Sequence, residues 1–150
     1  MSKPFPLQTL LELARAHSDT AAAQLGVLNR HEREMVERLR TLIEYRREYT
    51  DNLARMARTG IGSVDWRNYR EFIDKIDAAI SQQRATVAVS KHEVQVGLQN
   101  WHSEQRKLKS FDTLSVRHHS AEIRRESVQE QKEQDEFALK GFLGRSVAMG

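Results

Sequence analysis

The sequence predicts an all-α protein, folded as a long two-helix antiparallel coiled-coil hairpin with a C-terminal helical overhang. Three observations predict this fold class. The only two prolines are Pro4 and Pro6, so the rest of the chain lacks the residue that most strongly breaks helices. Apolar residues recur at alternating spacings of four and three, which is the period of a coiled coil. One glycine-containing stretch, residues 58–66, separates two such patterns.

The first helix is predicted over about residues 6–58. Counting in sevens from Leu7 to Met56 gives eight positions without a charge. A second set, offset by four residues, completes the alternation but contains Glu32 and Arg46. Both sets lie on one side of a helix, where they form a stripe that a partner helix can cover.

The turn between the helices is predicted at about residues 59–65. Gly60 and Gly62 can adopt the left-handed backbone conformation that ends a helix. Ser63 or Asp65 can then cap the start of the next helix. So short a connection makes the two helices antiparallel.

The second helix is predicted over about residues 66–140, with a flexible C-terminal tail at 141–150. Its apolar pattern begins at Trp66 and ends near Phe111. With 39% hydrophobic and only 7% aromatic residues, the chain can bury a narrow interhelical seam rather than a thick core. The whole chain, residues 1–150, is therefore predicted to be a single domain.

The two patterns can be aligned by placing Met56 opposite Trp66, so that the numbers of facing residues sum to 122. This register pairs large residues with small ones and brings Ser18 opposite Glu104, so polar groups share a layer. Arg46 is the misfit, because it faces an isoleucine that only its aliphatic stem can cover. The predicted seam anchors are Leu28, Met35, Ile73, Ile80, Val94 and Trp101.

The apolar pattern of the second helix is predicted to stop where its partner stops. In this register Leu7 faces Ser115, and the following seam positions are polar or charged. Residues 116–140 keep a helix-forming composition without a helix to pack on. They form the predicted overhang, whose order is expected to depend on a partner.

Several classes of chemistry have no support in the sequence. There is no cysteine, and the six histidines are scattered, which argues against a metal site. No glycine-rich phosphate loop or nucleophile triad is present. We therefore expect no enzyme activity, no catalytic residue and no cofactor. No segment reaches the ~20 apolar residues of a membrane span, so a cytoplasmic protein is expected.

The charge pattern leaves one alternative function open. The 24 basic and 21 acidic residues are finely mixed, which is typical of solvated helix surfaces. Residues 105–125 are locally basic, so the alternative is a coiled-coil hairpin that binds RNA or DNA through this segment. A generic homodimeric coiled coil is a third interpretation. We expect no nucleic acid, because acidic residues interleave with the basic ones elsewhere.

The stretch LIEYRREYT, residues 42–50, predicts a protein-docking surface near the turn. Tyr49 falls in the seam, whereas Tyr45 falls beside it. Across from Tyr45 the register places Phe72 and Ala79, which are apolar where a charge would be ordinary. Contiguous exposed apolar surface with aromatic residues is typical of a binding site.

The sequence resembles the flagellar export protein FliJ family, whose relatives include stalk proteins of virulence-type secretion systems. The resemblance rests on "LQTLLELA", on "LIEYRREYTDNL" followed by a glycine turn, on "NYREFIDKIDAAISQQ" and on "NWHSEQRKLKSFDTL". It covers nearly the whole chain.

The resemblance implies a non-enzymatic coupling component of the flagellar type III protein export apparatus, at the cytoplasmic face of the basal body and peripheral to the membrane. The implied partners are the export ATPase FliI, whose ring would receive the end that carries both termini, and the export gate protein FlhA. FliH and export chaperones are further implied partners. The ATPase region is the helix start near Leu7 with Lys107–Lys140. The implied gate contact comprises Leu42, Tyr45, Tyr49, Phe72, Ile76 and Ala79. Two further positions of that contact fall on Arg38 and Gln83, and Arg38 departs from the family's neutral polar residue.

Overall fold

The computed structural model describes the backbone of residues 3–149 and the side chains of residues 3–146. Within that part of the chain there are two helices, α1 at Gln8–Thr59 and α2 at Ser63–Met149, and no strand. The two helices pack against each other, so the all-α, helical-hairpin prediction is confirmed.

Local backbone chemistry explains where the helices begin and where they are separated. Before α1, the amide of Gln8 donates to the carbonyl oxygen of Phe5 at 3.1 Å, which closes the turn that contains the last proline. Between the helices, Gly60 has a φ of 92°. Residues with a β-carbon rarely adopt this backbone conformation, whereas glycine adopts it readily. The carbonyl of Gly62 accepts the first bond of α2, from Trp66 at 2.9 Å.

The end of α2 differs from the expectation of a helix to about residue 140 followed by a tail. The helix instead continues through Gly141 and Gly144 to Met149. Each glycine lowers helix propensity by only about 1 kcal/mol, and no proline follows to stop the helix. The last residue of the expected tail, at position 150, lies outside the described part of the chain.

The chain divides into two compact units, and each helix contributes to both. The turn unit is Asp19–Ser103, and the terminal unit is Met1–Ser18 with Glu104–Gly150. In each unit a segment of α1 lies antiparallel to a segment of α2.

In the turn unit the buried side chains follow the predicted heptad positions. Of the predicted anchors, Met35, Ile73 and Ile80 are buried, and the other three are half-buried. Two polar side chains that lie among the apolar layers form hydrogen bonds. Gln83 donates from Nε2 to the backbone carbonyl of Met35 at 2.9 Å, and Ser90 donates to the carbonyl of Val87 at 2.8 Å. The apolar layers are thus interrupted without leaving these side chains unpaired.

Gly97 marks the closest packing in the turn unit. A β-carbon added there would lie 2.7 Å from Leu28 Cδ1 and 3.5 Å from Leu25 Cδ1. At Gly26, in the same unit, an added β-carbon would meet nothing within 4 Å. Gly97 is therefore part of the packing, whereas Gly26 is not.

In the terminal unit, Leu11 and Ala14 are buried, and a polar layer follows them. Ser18 is also buried, and Gln105 donates from Nε2 to its hydroxyl at 2.9 Å. The expectation that Ser18 shares its layer with Glu104 is thus modified, because the neighbouring Gln105 makes the bond. The Glu104 carboxylate lies 3.9 Å from His17 Nδ1 and 3.7 Å from the ammonium group of Lys107.

The residues before α1 extend the packing of the terminal unit further than the heptads predict. The amide of Lys3 donates to Glu122 Oε2 at 3.4 Å, and its carbonyl lies 3.0 Å from His118 Nε2. The Phe5 ring lies 5.6 Å from that of His118. The described side chains of α2 are all exposed from Ile123 onward, so the unpaired part begins there and not at residue 116.

The contacts between the helices lie close to the predicted register. In the turn unit, Leu25 lies against Gly97, and Arg46 pairs with Asp77. In the terminal unit, Ser18 pairs with Gln105. The numbers in these three pairs sum to 122 or 123, against the predicted 122. Trp66 is the main departure, because it keeps 41% of its surface exposed at the start of α2 instead of entering the seam.

We predict that Gly97→Val destabilises the protein by about 2 kcal/mol more than Gly26→Val does, because only the first forces methyl groups into packed side chains. The same substitution at both sites cancels the intrinsic helix propensity of valine. Urea unfolding followed by circular dichroism at 222 nm measures the difference. Equal free energies of unfolding would contradict the packing role of Gly97.

Candidate functional site

A cluster of aromatic rings lies across α1 and α2 in the turn unit. The Tyr49 ring centroid lies 5.2 Å from that of Tyr45, one turn earlier on α1, and 4.6 Å from that of Phe72 on α2. It is also 6.1 Å from the ring of Tyr69. These separations fall in the range that favours tilted aromatic packing. Tyr49 is therefore the central ring of the cluster.

The outer rings of this cluster are exposed. Tyr45 keeps 45% of its surface accessible and Phe72 keeps 39%. The backbone explains the difference from Tyr49, which is half-buried, because Tyr45 is one position off the heptad seam. Large aromatic side chains left exposed next to each other form a surface that another protein can bury.

The remaining predicted contact residues are less exposed than these rings. Leu42 and Ala79 are half-buried, whereas Ile76 is buried with 6% of its surface accessible. We call the six residues together the aromatic patch: Leu42, Tyr45, Tyr49, Phe72, Ile76 and Ala79. Within it, Ile76 is the buried member and is not itself available for contact.

A cross-helix ion pair lies beside the aromatic patch. The Arg46 guanidinium bonds the Asp77 carboxylate through Nε to Oδ1 and through Nη2 to Oδ2, the latter at 3.4 Å. This hydrogen bond, with the charge of Asp77, raises the pKa of Arg46. The sequence placed the stem of Arg46 over the seam but gave no partner. The register itself could have found Asp77, one residue beyond the position predicted to face Arg46.

The two further positions of the implied gate contact, Arg38 and Gln83, differ in their surroundings. Gln83 points into the turn unit, where its side chain is engaged with the Met35 carbonyl. Arg38 is exposed. Tyr69 belongs to the aromatic cluster although it is not among the contact residues expected from the sequence. Its spacing of three from Phe72 on a helix was the available signal.

Tyr49 has altered acid–base behaviour in this setting. Hydrogen bonding to Tyr45 is the largest cause that raises the pKa of Tyr49 above 10.0, followed by the charge of Tyr45, by desolvation and by Tyr69. The raised pKa means that the folded state favours the neutral phenol. This contribution to stability is complete below pH 10 and is lost as the pH rises through the raised pKa.

The side chains of the patch supply rings and aliphatic groups but no nucleophile or general base for neutral pH. Among the residues that the structure describes, no group of three or more His, Asp or Glu side chains is placed to hold a metal ion. The helices in the described range also include none that is long and apolar enough to cross a membrane. The arrangement is suited to contact with another protein.

Comparison with known proteins gives consistent matches along the chain. A family model described as "Flagellar FliJ protein" matches residues 2–146. The chain is 35% identical over 143 residues to a flagellar FliJ protein of Salmonella typhi, covering 95% of this chain and 97% of that relative. It is 34% identical over the same length to a flagellar FliJ protein of Escherichia coli K12, with the same coverage.

We predict that Tyr45→Phe lowers the pKa of Tyr49 toward 10.0, because it removes the hydroxyl that most raises it. An NMR titration of ring-labelled tyrosine between pH 8 and about 12 resolves the individual phenols. Tyr69→Phe is the matched control and should change the pKa of Tyr49 less, since Tyr69 is the smallest contributor. An unchanged pKa in Tyr45→Phe would refute the coupling.

Proposed function

This chain belongs to the flagellar FliJ protein family, and from that membership we propose that it couples the export ATPase to the export gate in flagellar protein export. The family is one of flagellar export components and not of enzymes, so the proposed role is mechanical and recognitional. On this proposal the protein acts at the cytoplasmic face of the flagellar basal body and reaches the membrane only through protein contacts.

The observation that carries the gate contact is the exposed pair Tyr45 and Phe72. When a partner covers an exposed aromatic ring, the binding free energy becomes more favourable by roughly 25 cal/mol for each Å² of apolar surface that is removed from water. The two rings are held by Tyr49 between them, so little side-chain freedom remains to be lost on binding. We assign the aromatic patch to the cytoplasmic domain of FlhA.

A second proposed contact uses the terminal unit. From Ile123 to Ser146, α2 has every described side chain exposed, including Phe137 with 81% of its surface accessible. Phe142 and Leu143 are exposed as well. A single helix with such side chains leaves apolar surface exposed to water, and this supports the proposal that another protein buries it. We assign this segment, with the helix start near Leu7 and the preceding residues from Lys107, to the FliI ring. FliH and export chaperones remain further candidate partners.

For the gate contact, Tyr45→Ala combined with Phe72→Ala is predicted to weaken binding to the cytoplasmic domain of FlhA by at least about tenfold, since two aromatic anchors are lost. Calorimetry with purified FlhA domain measures the affinity. The matched control is Val89→Ala with Val96→Ala, two exposed apolar residues of α2 in the same unit but outside the patch. Its affinity should stay within about twofold of the parent chain.

Stability separates docking from core packing in this experiment. Because both aromatic residues are exposed, the double variant should keep the helicity and nearly the thermal midpoint of the parent. Loss of the folded state would show instead that the rings are part of the core. Equal loss of affinity in the valine control would contradict assignment of the contact to the aromatic patch.

For the ATPase contact, Phe137→Ser with Phe142→Ser is predicted to reduce co-elution with purified FliI, because both side chains are exposed on the unpaired helix. Size-exclusion chromatography with multi-angle light scattering measures the fraction of chain bound to the ATPase. The valine control described above should co-elute like the parent chain. Unchanged co-elution of the Phe137/Phe142 variant would reject this segment as the contact.

A further inference from the structure

One face of α2 in the terminal unit carries an apolar line bordered by basic residues. Leu114, Ala121 and Val128 are seven apart and therefore lie nearly along one line of the helix, at ~100° per residue. Leu114 and Val128 are exposed and Ala121 is half-buried. This spacing matches one row of a heptad seam, yet the described part of α1 does not cover it.

Basic side chains border this line on both sides. Arg117 and Arg124 lie on one side, and Arg125 and Lys132 lie on the other. We call these four residues, with the apolar line, the basic face. Among the acidic residues within 106–132, Asp112, Glu126 and Glu130 lie on the far side of the helix from the line. Glu122 lies nearer, about 80–120° around the helix, and is the one carboxylate that borders the face.

The charges of the basic face are largely unpaired. Within the side chains that the structure describes, Arg117, Arg124 and Lys132 have no carboxylate oxygen within 4.0 Å; Arg125 bonds Glu122 at 2.9 Å. Two shallow grooves run along the face. One is lined by Arg106, Lys109, Ser110, Thr113, Leu114 and Arg117, and the other by Ala121, Arg124, Arg125, Val128 and Gln129.

We propose that the basic face docks an amphipathic helix of a partner protein, with apolar residues facing Leu114, Ala121 and Val128 and acidic residues at its edges. In coiled coils the apolar rows provide contact area, while the flanking charges select the partner and its register. The unpaired charges at the flanks, those of Arg117, Arg124 and Lys132, are all basic, so charge complementarity favours Glu or Asp at the edges of the incoming helix, above all at the Arg117 and Arg124 edge.

The apolar line favours a helix over a nucleic acid as the occupant. An apolar row between two rows of basic residues does not contribute to phosphate binding. Single-stranded nucleic acids are also typically bound by aromatic rings on which the bases stack. The only aromatic ring other than histidine within 106–132 is Phe111, which is half-buried toward the seam. The inference concerns the chemistry of this face and stands whether or not the segment enters an ATPase ring.

The test uses the full chain and a synthetic helical peptide with Leu and Ala at seam positions and Glu at the flanking ones. Fluorescence anisotropy measures its affinity. Arg117→Glu with Arg124→Glu should weaken binding by at least about tenfold, because attraction becomes repulsion on one edge. The matched control, Arg84→Glu with Lys91→Glu, changes two exposed basic residues of α2 with the same spacing and the same change of net charge. It should bind within about twofold of the parent.

Further comparisons decide between docking and general electrostatic attraction. Leu114→Asn with Val128→Asn should weaken binding without altering net charge, and a scrambled peptide of the same composition should bind at least about tenfold more weakly. A peptide with Lys at the flanks should bind the Arg117/Arg124 variant better than the parent. Equal loss in both charge variants, equal binding of the scrambled peptide, or tighter binding of polyuridylate to the same face would each overturn the proposal.

Discussion

The burial of a narrow apolar seam between antiparallel helix segments is the constraint on which the rest of this structure depends. A seam of this kind is about one side chain wide, so a residue one position away from it is already at the surface. Tyr49 and Tyr45 show this directly, since one is half-buried and the other is exposed. The candidate site therefore needs no cavity and arises wherever large apolar residues flank the seam.

Close packing in the seam also fixes which residues can face each other. Gly97 leaves room for two leucine side chains, and Gln83 reaches a backbone carbonyl on the other helix. Such contacts are available in one register only, because a shift along the helix would replace them with clashes or unpaired polar groups. The aromatic cluster inherits its geometry from this register, since its rings come from both helices.

Much of the fold could be predicted from the sequence because heptad spacing is a local signal. The helical class and the register follow from it, and the glycines at 60 and 62 indicate the turn. The N-terminal contact with His118 and Glu122 could not be predicted, because residues 3–5 are outside any helix and carry no period. Trp66 was misplaced for a related reason: next to the turn a heptad position is no longer covered on every side.

At the candidate site the sequence indicates which side chains lie near one another but not how deeply each lies. The heptads separated Tyr45 from Tyr49 and placed Phe72 near both, but they did not distinguish a contact residue from its support. Ile76 is the example, since its heptad position in the seam does not show how much of its rim stays exposed, and the structure leaves only 6% of its surface accessible. Side-chain depth depends on the sizes of neighbouring residues, and Arg46 with Asp77 adds a lateral contact that a one-dimensional pattern does not contain.

The pairing of residues across the turn has a consequence for how such a chain can change length during evolution. A heptad removed from α1 within the paired region shifts every layer farther from the turn unless a heptad is removed opposite it in α2. An insertion or deletion in one helix alone therefore disrupts the packing of both helices. A tolerated change of length must combine matching changes in α1 and α2. The three residues between Thr59 and Ser63, and α2 beyond Glu122, are free of that requirement. Divergence in length should accumulate at those two places.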